Sequence, residues 1–335
     1  HALGARLLTG HGFSFDRAWY PFTPAETPTA HWSFLYSLYA AAVYALAGAH
    51  PLAIRLLGAL TSGLLLPWMA YRLARRLFPG RDTVALISAL LAAVYAYFVL
   101  YAATIMTESF YIIVLLWTLE RAMAAAESPS VGKGLVLGVG LGLATLLRQA
   151  ILPWVVVLFA WLLWTALRSD QLKKMLPSLL TSTLALAFFI LPFTIRNYIV
   201  YGEVLLLNSN AGYAMYSAQH PMHDTDFQEF AAAPVPLELR GLNEAQLDRA
   251  LMAIGIGFVL AEPGRYLLLS LSRAKDYFEF WPTPDTTLLH NLGRSGSFGL
   301  FLPFMLAGLY LALRQAWPGR SLGGWLRFST TPLAL

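Results

Sequence analysis

Cysteine is absent from all 335 residues, which excludes disulfides, thiolate nucleophiles and cysteine-ligated metals. Charge is scarce as well: Asp, Glu, Lys and Arg make up 12% of the chain, against 58% hydrophobic residues. A soluble domain carries about twice that charged fraction, so an ordinary water-soluble protein is excluded. No P-loop, no Gly-x-Gly-x-x-Gly after a strand, no His-Glu-x-x-His and no Cys/His metal spacing can be found. His31, His220, His223 and His290 stand singly, as structural histidines usually do. There is no internal repeat or low-complexity tract, and no nucleic-acid partner is expected. His1 opens the chain without the charged leader and apolar core of a signal peptide, and we expect residues upstream of it.

What is present is a series of long apolar runs. A membrane-crossing helix needs about 20 mostly apolar residues. The pattern predicts crossings near 53–74, 84–103, 110–126, 131–147, 150–167, 175–195 and 297–314. The fold class expected is an all-α polytopic membrane protein. Another apolar stretch, 32–49, carries Trp32, Tyr36, Tyr39 and Tyr44. Its hydropathy fits a crossing, whereas its amphipathic aromatics fit an interfacial helix.

Orientation follows from the basic residues. Arg72, Arg75, Arg76 and Arg81 follow the first run; Arg121 and Lys133 flank the link after 126; Arg168, Lys173 and Lys174 lie between 167 and 175; Arg314 and Arg320 follow the last run. Counting crossings puts all four clusters on one face, which the excess of Lys and Arg in cytoplasmic loops makes the inner one. Residues 196–296 then form an external insertion holding 11 of the 18 acidic residues. Within it, Asn243 is expected to cap a helix over 243–260, Pro263 to end that helix, and 264–280 to form a second one. Both are too charged to cross and are expected against the outer membrane surface.

Glu108 sits between two of the apolar runs. A carboxylate at a membrane boundary marks a functional site by default; it also suits the first turn of a helix beginning near Phe110. Arg148 occupies the outer junction of two crossings. It reads either as a snorkelling side chain or as a bidentate phosphate ligand. Arg196 and Asn197 emerge at a crossing's end, followed by the polar turn Asn208–Gly212 and by Tyr216, all suited to a phosphate or a polyhydroxylated ligand. Lys275, on the insertion's second helix, is either a headgroup neighbour or another phosphate contact. With one more carboxylate, Glu108 would hold a hard divalent cation, although no second acid lies close in sequence.

Six segments in order resemble the membrane glycosyltransferases of the GT-C superfamily. The branch is that of the dolichyl-phosphate-mannose protein mannosyltransferases and lipid A aminoarabinose transferases. The segments are Ala2–Phe13 with its Gly-x-Gly-Phe turn; Pro28–Tyr36, including His31; Leu46-Ala47-Gly48; Ala53-Ile54-Arg55-Leu56; Met106-Thr107-Glu108; and Ile195–Tyr198 with the Asn210–Gly212 turn. Ser33 and Phe34 replace prolines usual in that branch.

The resemblance implies a GT-C-like transmembrane bundle. Residues 1–50 would be a first external loop with juxtamembrane helices, 51–195 the bundle, 196–296 the external insertion, and 297–335 a final crossing and the start of a tail. It implies transfer of a sugar from a polyprenyl-phosphate donor to an acceptor hydroxyl, with inversion. The site would lie on the external or periplasmic face of a bacterial plasma membrane, among its lipids. The resemblance also implies that the principal base belongs to an Asp-Glu motif upstream of His1. Glu108 would then orient the acceptor or help hold a cation, while Arg148, Arg196, Asn197, Lys275, His31, Asn210 and Tyr216 bind substrate. The competing reading is a transporter or a non-catalytic protein handling lipid-linked sugars.

Overall fold

A computed structural model describes residues 1–19, 23–227, 231–284 and 286–316; Arg320 and the tail beyond 316 lie outside the described residues. Among these, helices carry the fold and no strand occurs beyond two isolated bridges. In chain order the helices are α1 (Ala2–Leu8), α2 (Phe34–Ala47), α3 (Pro51–Leu77), α4 (Asp82–Val94), α5 (Ala96–Ala102), α6 (Glu108–Glu127) and α7 (Val131–Leu147). There follow α8 (Leu152–Arg168), α9 (Leu172–Tyr201), α10 (Ala211–Gln219), α11 (Glu244–Ala261), α12 (Pro263–Tyr277), α13 (Leu288–Arg294) and α14 (Leu300–Ala316).

Five stretches among the described residues are long and apolar enough to cross a membrane: α3, α6, 149–168, α9 and 288–311. The protein is an integral membrane protein. Large apolar side chains on these helices point outward, among them Leu60, Leu64, Leu180, Leu184 and Phe188. In water such a surface would aggregate; in lipid tails it is solvated. α4 and α5 together make a sixth apolar segment, bent by 56° at Tyr95, whose backbone is extended. The 14 residues of α2 reach about 21 Å, short of the ~30 Å hydrocarbon core.

The chain divides into two compact units. One comprises His50–Ile190 and the segment from Phe280 onward. Its core joins Ala122 of α6, Leu137 and Leu141 of α7, Leu158, Trp161 and Leu162 of α8, and Met175 and Leu179 of α9. Lipid is as apolar as leucine, so close packing rather than water exclusion holds such helices together. Gly138 shows the consequence: a Cβ there would lie 2.3 Å from the Ser182 carbonyl oxygen, so only glycine lets α7 and α9 come this close.

The other unit comprises His1–Ala49 and Leu191–Glu279. Asn243 caps α11 in a reciprocal pair with Gln246, as expected of an Asn before an acidic first turn. α12 begins at Pro263 after a turn of 106°, which separates the two helices as the proline predicts. Two boundaries differ from expectation. α9 runs on to Tyr201 rather than ending near 195, and the last apolar segment starts at 288 rather than 297.

Candidate functional site

Glu108 is the first residue of α6, where a carboxylate meets the positive end of the helix dipole. It does more than cap. Arg148 closes α7 in an extended conformation that turns its side chain back toward α6. Its Nη2 donates to Glu108 Oε1, its Nε donates to Thr107 Oγ1 at 3.2 Å, and its guanidinium lies 6.0 Å from the centre of the Tyr111 ring. The other carboxylate oxygen, Oε2 of Glu108, is buried and has no hydrogen-bond partner among the described residues. A buried acceptor left without a hydrogen bond is costly.

Tyr111 is also the first residue of an apolar groove. Leu115, Leu119 and Met123 continue along the same face of α6, and Leu73 and Leu77 of α3 with Ala150, Ile151 and Trp154 complete the lining. The groove holds about 470 Å³. From Tyr111 to Met123 is twelve residues of helix, about 18 Å. A cation and a carboxylate therefore stand at the head of a hydrocarbon-lined slot.

The second unit organises its polar residues differently. The Arg196 guanidinium lies 5.8 Å from the rings of Phe13 and Phe34 and 5.9 Å from that of Tyr201, and Nη1 donates to Asn197 Oδ1 at 2.9 Å. Asn197 is fully buried, and its amide donates to the carbonyls of Leu205 at 3.1 Å and Leu207 at 2.8 Å. It braces the turn after α9 rather than facing a ligand. Tyr216 is likewise in a core, donating to the Pro234 carbonyl at 2.8 Å. Asn210 precedes α10 and reaches the His31 carbonyl at 3.4 Å. Burial lowers the His31 pKa below its ordinary value, with Glu244 pulling the other way. Lys275 is exposed in the last turn of α12. Arg273, two residues earlier, is instead engaged by the carbonyls of Leu269 and Ala218 and the ring of Phe227.

The residue missed by sequence reasoning is Glu244. Its side chain is buried and accepts from the Thr23 hydroxyl, the Ala30 amide at 2.8 Å, the Tyr201 hydroxyl at 3.1 Å and the Ser209 hydroxyl at 2.8 Å. One carboxylate thus ties the first loop, the end of α9 and the turn before α10 to α11. No group of three or more Asp, Glu or His able to hold a metal is found among the described residues.

Residues 31–194 match the sequence profile of the family described as dolichyl-phosphate-mannose-protein mannosyltransferase. Over these residues the chain is similar to a domain of the GT-C membrane glycosyltransferases. Glu108, Arg148 and the whole groove fall inside the matched stretch of that domain, whereas Arg196, Asn197, Lys275 and Glu244 fall beyond it. Searches of curated proteins and of solved structures gave no match.

Proposed function

We propose that this glycosyltransferase takes its sugar from a polyprenyl phosphate and passes it, with inversion, to an acceptor hydroxyl at the outer face of the plasma membrane. The observation that carries the reading is the Arg148–Glu108 pair at the head of the Tyr111–Met123 groove. The apolar prenyl chain lies in the groove and its phosphate meets the guanidinium. Attack by the acceptor oxygen on the anomeric carbon breaks the bond to the phosphate oxygen, and charge grows on that phosphate. Arg148 is positioned to stabilise this charge, the kind of preorganised electrostatic contact that dominates such catalysis. Oε2 of Glu108 accepts a hydrogen bond from the acceptor hydroxyl and orients it. The proton passes to a carboxylate base.

Arg196, held among three rings, and the exposed Lys275 remain candidate phosphate contacts, and His31 and Asn210 candidate sugar contacts. A transport reading draws on the 56° break at Tyr95, since transporters favour broken helices. One assay separates the two. The full-length protein, reconstituted with a radiolabelled polyprenyl-phosphate sugar and a mixture of cell-envelope acceptors, is expected to release free polyprenyl phosphate. Movement of intact donor across the bilayer without that release would sink the reading.

A further inference from the structure

At the end of the bundle away from Glu108, α3 and α6 enclose an open hollow of about 610 Å³. Glu120 lies in its wall with 7% of its side chain exposed. Arg72 reaches this carboxylate at 3.3 Å, Arg76 at 3.4 Å, and Arg121 bonds it directly. Arg76 also bonds Glu127 at 2.7 Å. Three guanidinium groups thus share two carboxylates, and one positive charge is unmatched. Among the described residues Arg75 forms an ion pair only with the exposed Asp82, at 3.3 Å. The guanidinium of Arg72 is held 5.7 Å from the Trp68 ring, and that of Arg75 is held 5.7 Å from the Tyr71 ring. Both are one helical turn apart in sequence, so the donors are presented in fixed directions.

What lies beside the hollow identifies its occupant. Leu60, Leu64 and Trp68 are all exposed and recur every four residues, so they form one outward stripe on α3. That stripe runs from the lipid-facing middle of the helix into the hollow at Arg72. Leu73 and Leu77, which line the groove, lie on a different face of α3. We propose that the hollow binds the phosphate headgroup of an anionic phospholipid, its acyl chains lying along Leu60 and Leu64. The excess of basic residues at this end makes it the inner leaflet, where anionic headgroups are read by basic pockets between helices.

The test uses the full-length protein in phosphatidylcholine vesicles titrated with phosphatidylglycerol, with thermal unfolding as the readout. The midpoint is expected to rise to a plateau. Arg75→Gln should shift half-saturation about fivefold toward more phosphatidylglycerol, the effect of about one basic residue near an anionic surface, and Arg75→Lys should restore most of it. Arg81→Gln removes a charge from the same end but outside the hollow, and should leave the curve unchanged. Three results would overturn the proposal: no response to phosphatidylglycerol, an equal rise with inorganic phosphate in pure phosphatidylcholine, or an Arg81→Gln effect as large as that of Arg75→Gln. The last would mean diffuse surface charge rather than a built site.

Discussion

Arg148 binds one oxygen of Glu108 across forty positions of sequence and leaves the other, Oε2, buried without a hydrogen-bond partner among the described residues. Half of the carboxylate is therefore committed to holding the arginine, and on the proposed reading the other half receives the acceptor hydroxyl. Glu108→Gln keeps the shape and one acceptor but weakens both roles. Transfer by the full-length protein should fall about 100-fold or more, within the range for a positioned carboxylate, while expression and thermal midpoint stay within a few degrees. Unchanged turnover would remove Glu108 from the site.

Arg148→Lys keeps the charge but loses the planar fork that serves Thr107 and Glu108 at once and, on the proposed reading, a phosphate. A lysine is a point charge, so we expect turnover to drop about tenfold to a hundredfold. Steady-state kinetics should show the loss in kcat rather than in KM alone. A variant changed only in KM would assign Arg148 to ground-state binding.

Leu119 lies midway along the groove, between Leu115 and Met123. Leu119→Trp should fill the slot. The KM for a long-chain prenyl donor should rise at least about tenfold, while a short-chain analogue that stops above residue 119 keeps its KM. Equal effects on both donors would show that the chain lies elsewhere.

Burial, with Glu244 nearby, pushes the Asp248 carboxyl from its ordinary 3.8 up to about 6, against the opposing effect of the Gly212 amide, which donates to it at 2.7 Å. The folded form thus holds this proton more tightly than the unfolded chain. Its contribution to stability is greatest below pH 3.8 and is lost as pH rises to about 6, a change of about 3 kcal/mol. Asp248→Asn keeps an acceptor for Gly212 and removes the titration. Its thermal midpoint should exceed that of the parent at pH 7 and match it near pH 4. An identical pH profile would refute the assignment.

Glu244→Ala strands four donors at once. Each buried unsatisfied group costs about 1–3 kcal/mol, so the unit built from residues 1–49 and 191–279 should melt early. Hydrogen exchange should accelerate at Ala30 and Ser209, which lie far from residue 244 in sequence. Faster exchange confined to α11 would show that the carboxylate is a local cap only.

Hydropathy gave the order of the apolar helices because their windows are long and nearly free of charge, but of the seven crossings expected five are single stretches long enough, 84–103 is broken at Tyr95, and α7, with 17 residues, is shorter than a crossing needs. It shortened α9 because it reads Arg196 and Asn197 as the start of a polar loop. In the structure both continue the helix, the arginine against aromatic rings and the asparagine against two carbonyls. The break at Tyr95 left no mark in the sequence, since neither proline nor glycine stands there. Glu108 and Arg148 were legible because each is a lone charge at the junction of two apolar runs. Glu244 was not, because it resembles any first-turn acid and its partners lie 35 to 221 positions away.

The slot along α6 is about 18 Å long, little more than half the ~30 Å hydrocarbon thickness of a bilayer. On the proposed reading, an isoprenoid carrier is gripped only near its charged end, and its distal units wander among the surrounding lipids. Selection among carriers would then rest on the stereochemistry of the first few units, and two carriers differing only in total length would serve equally well.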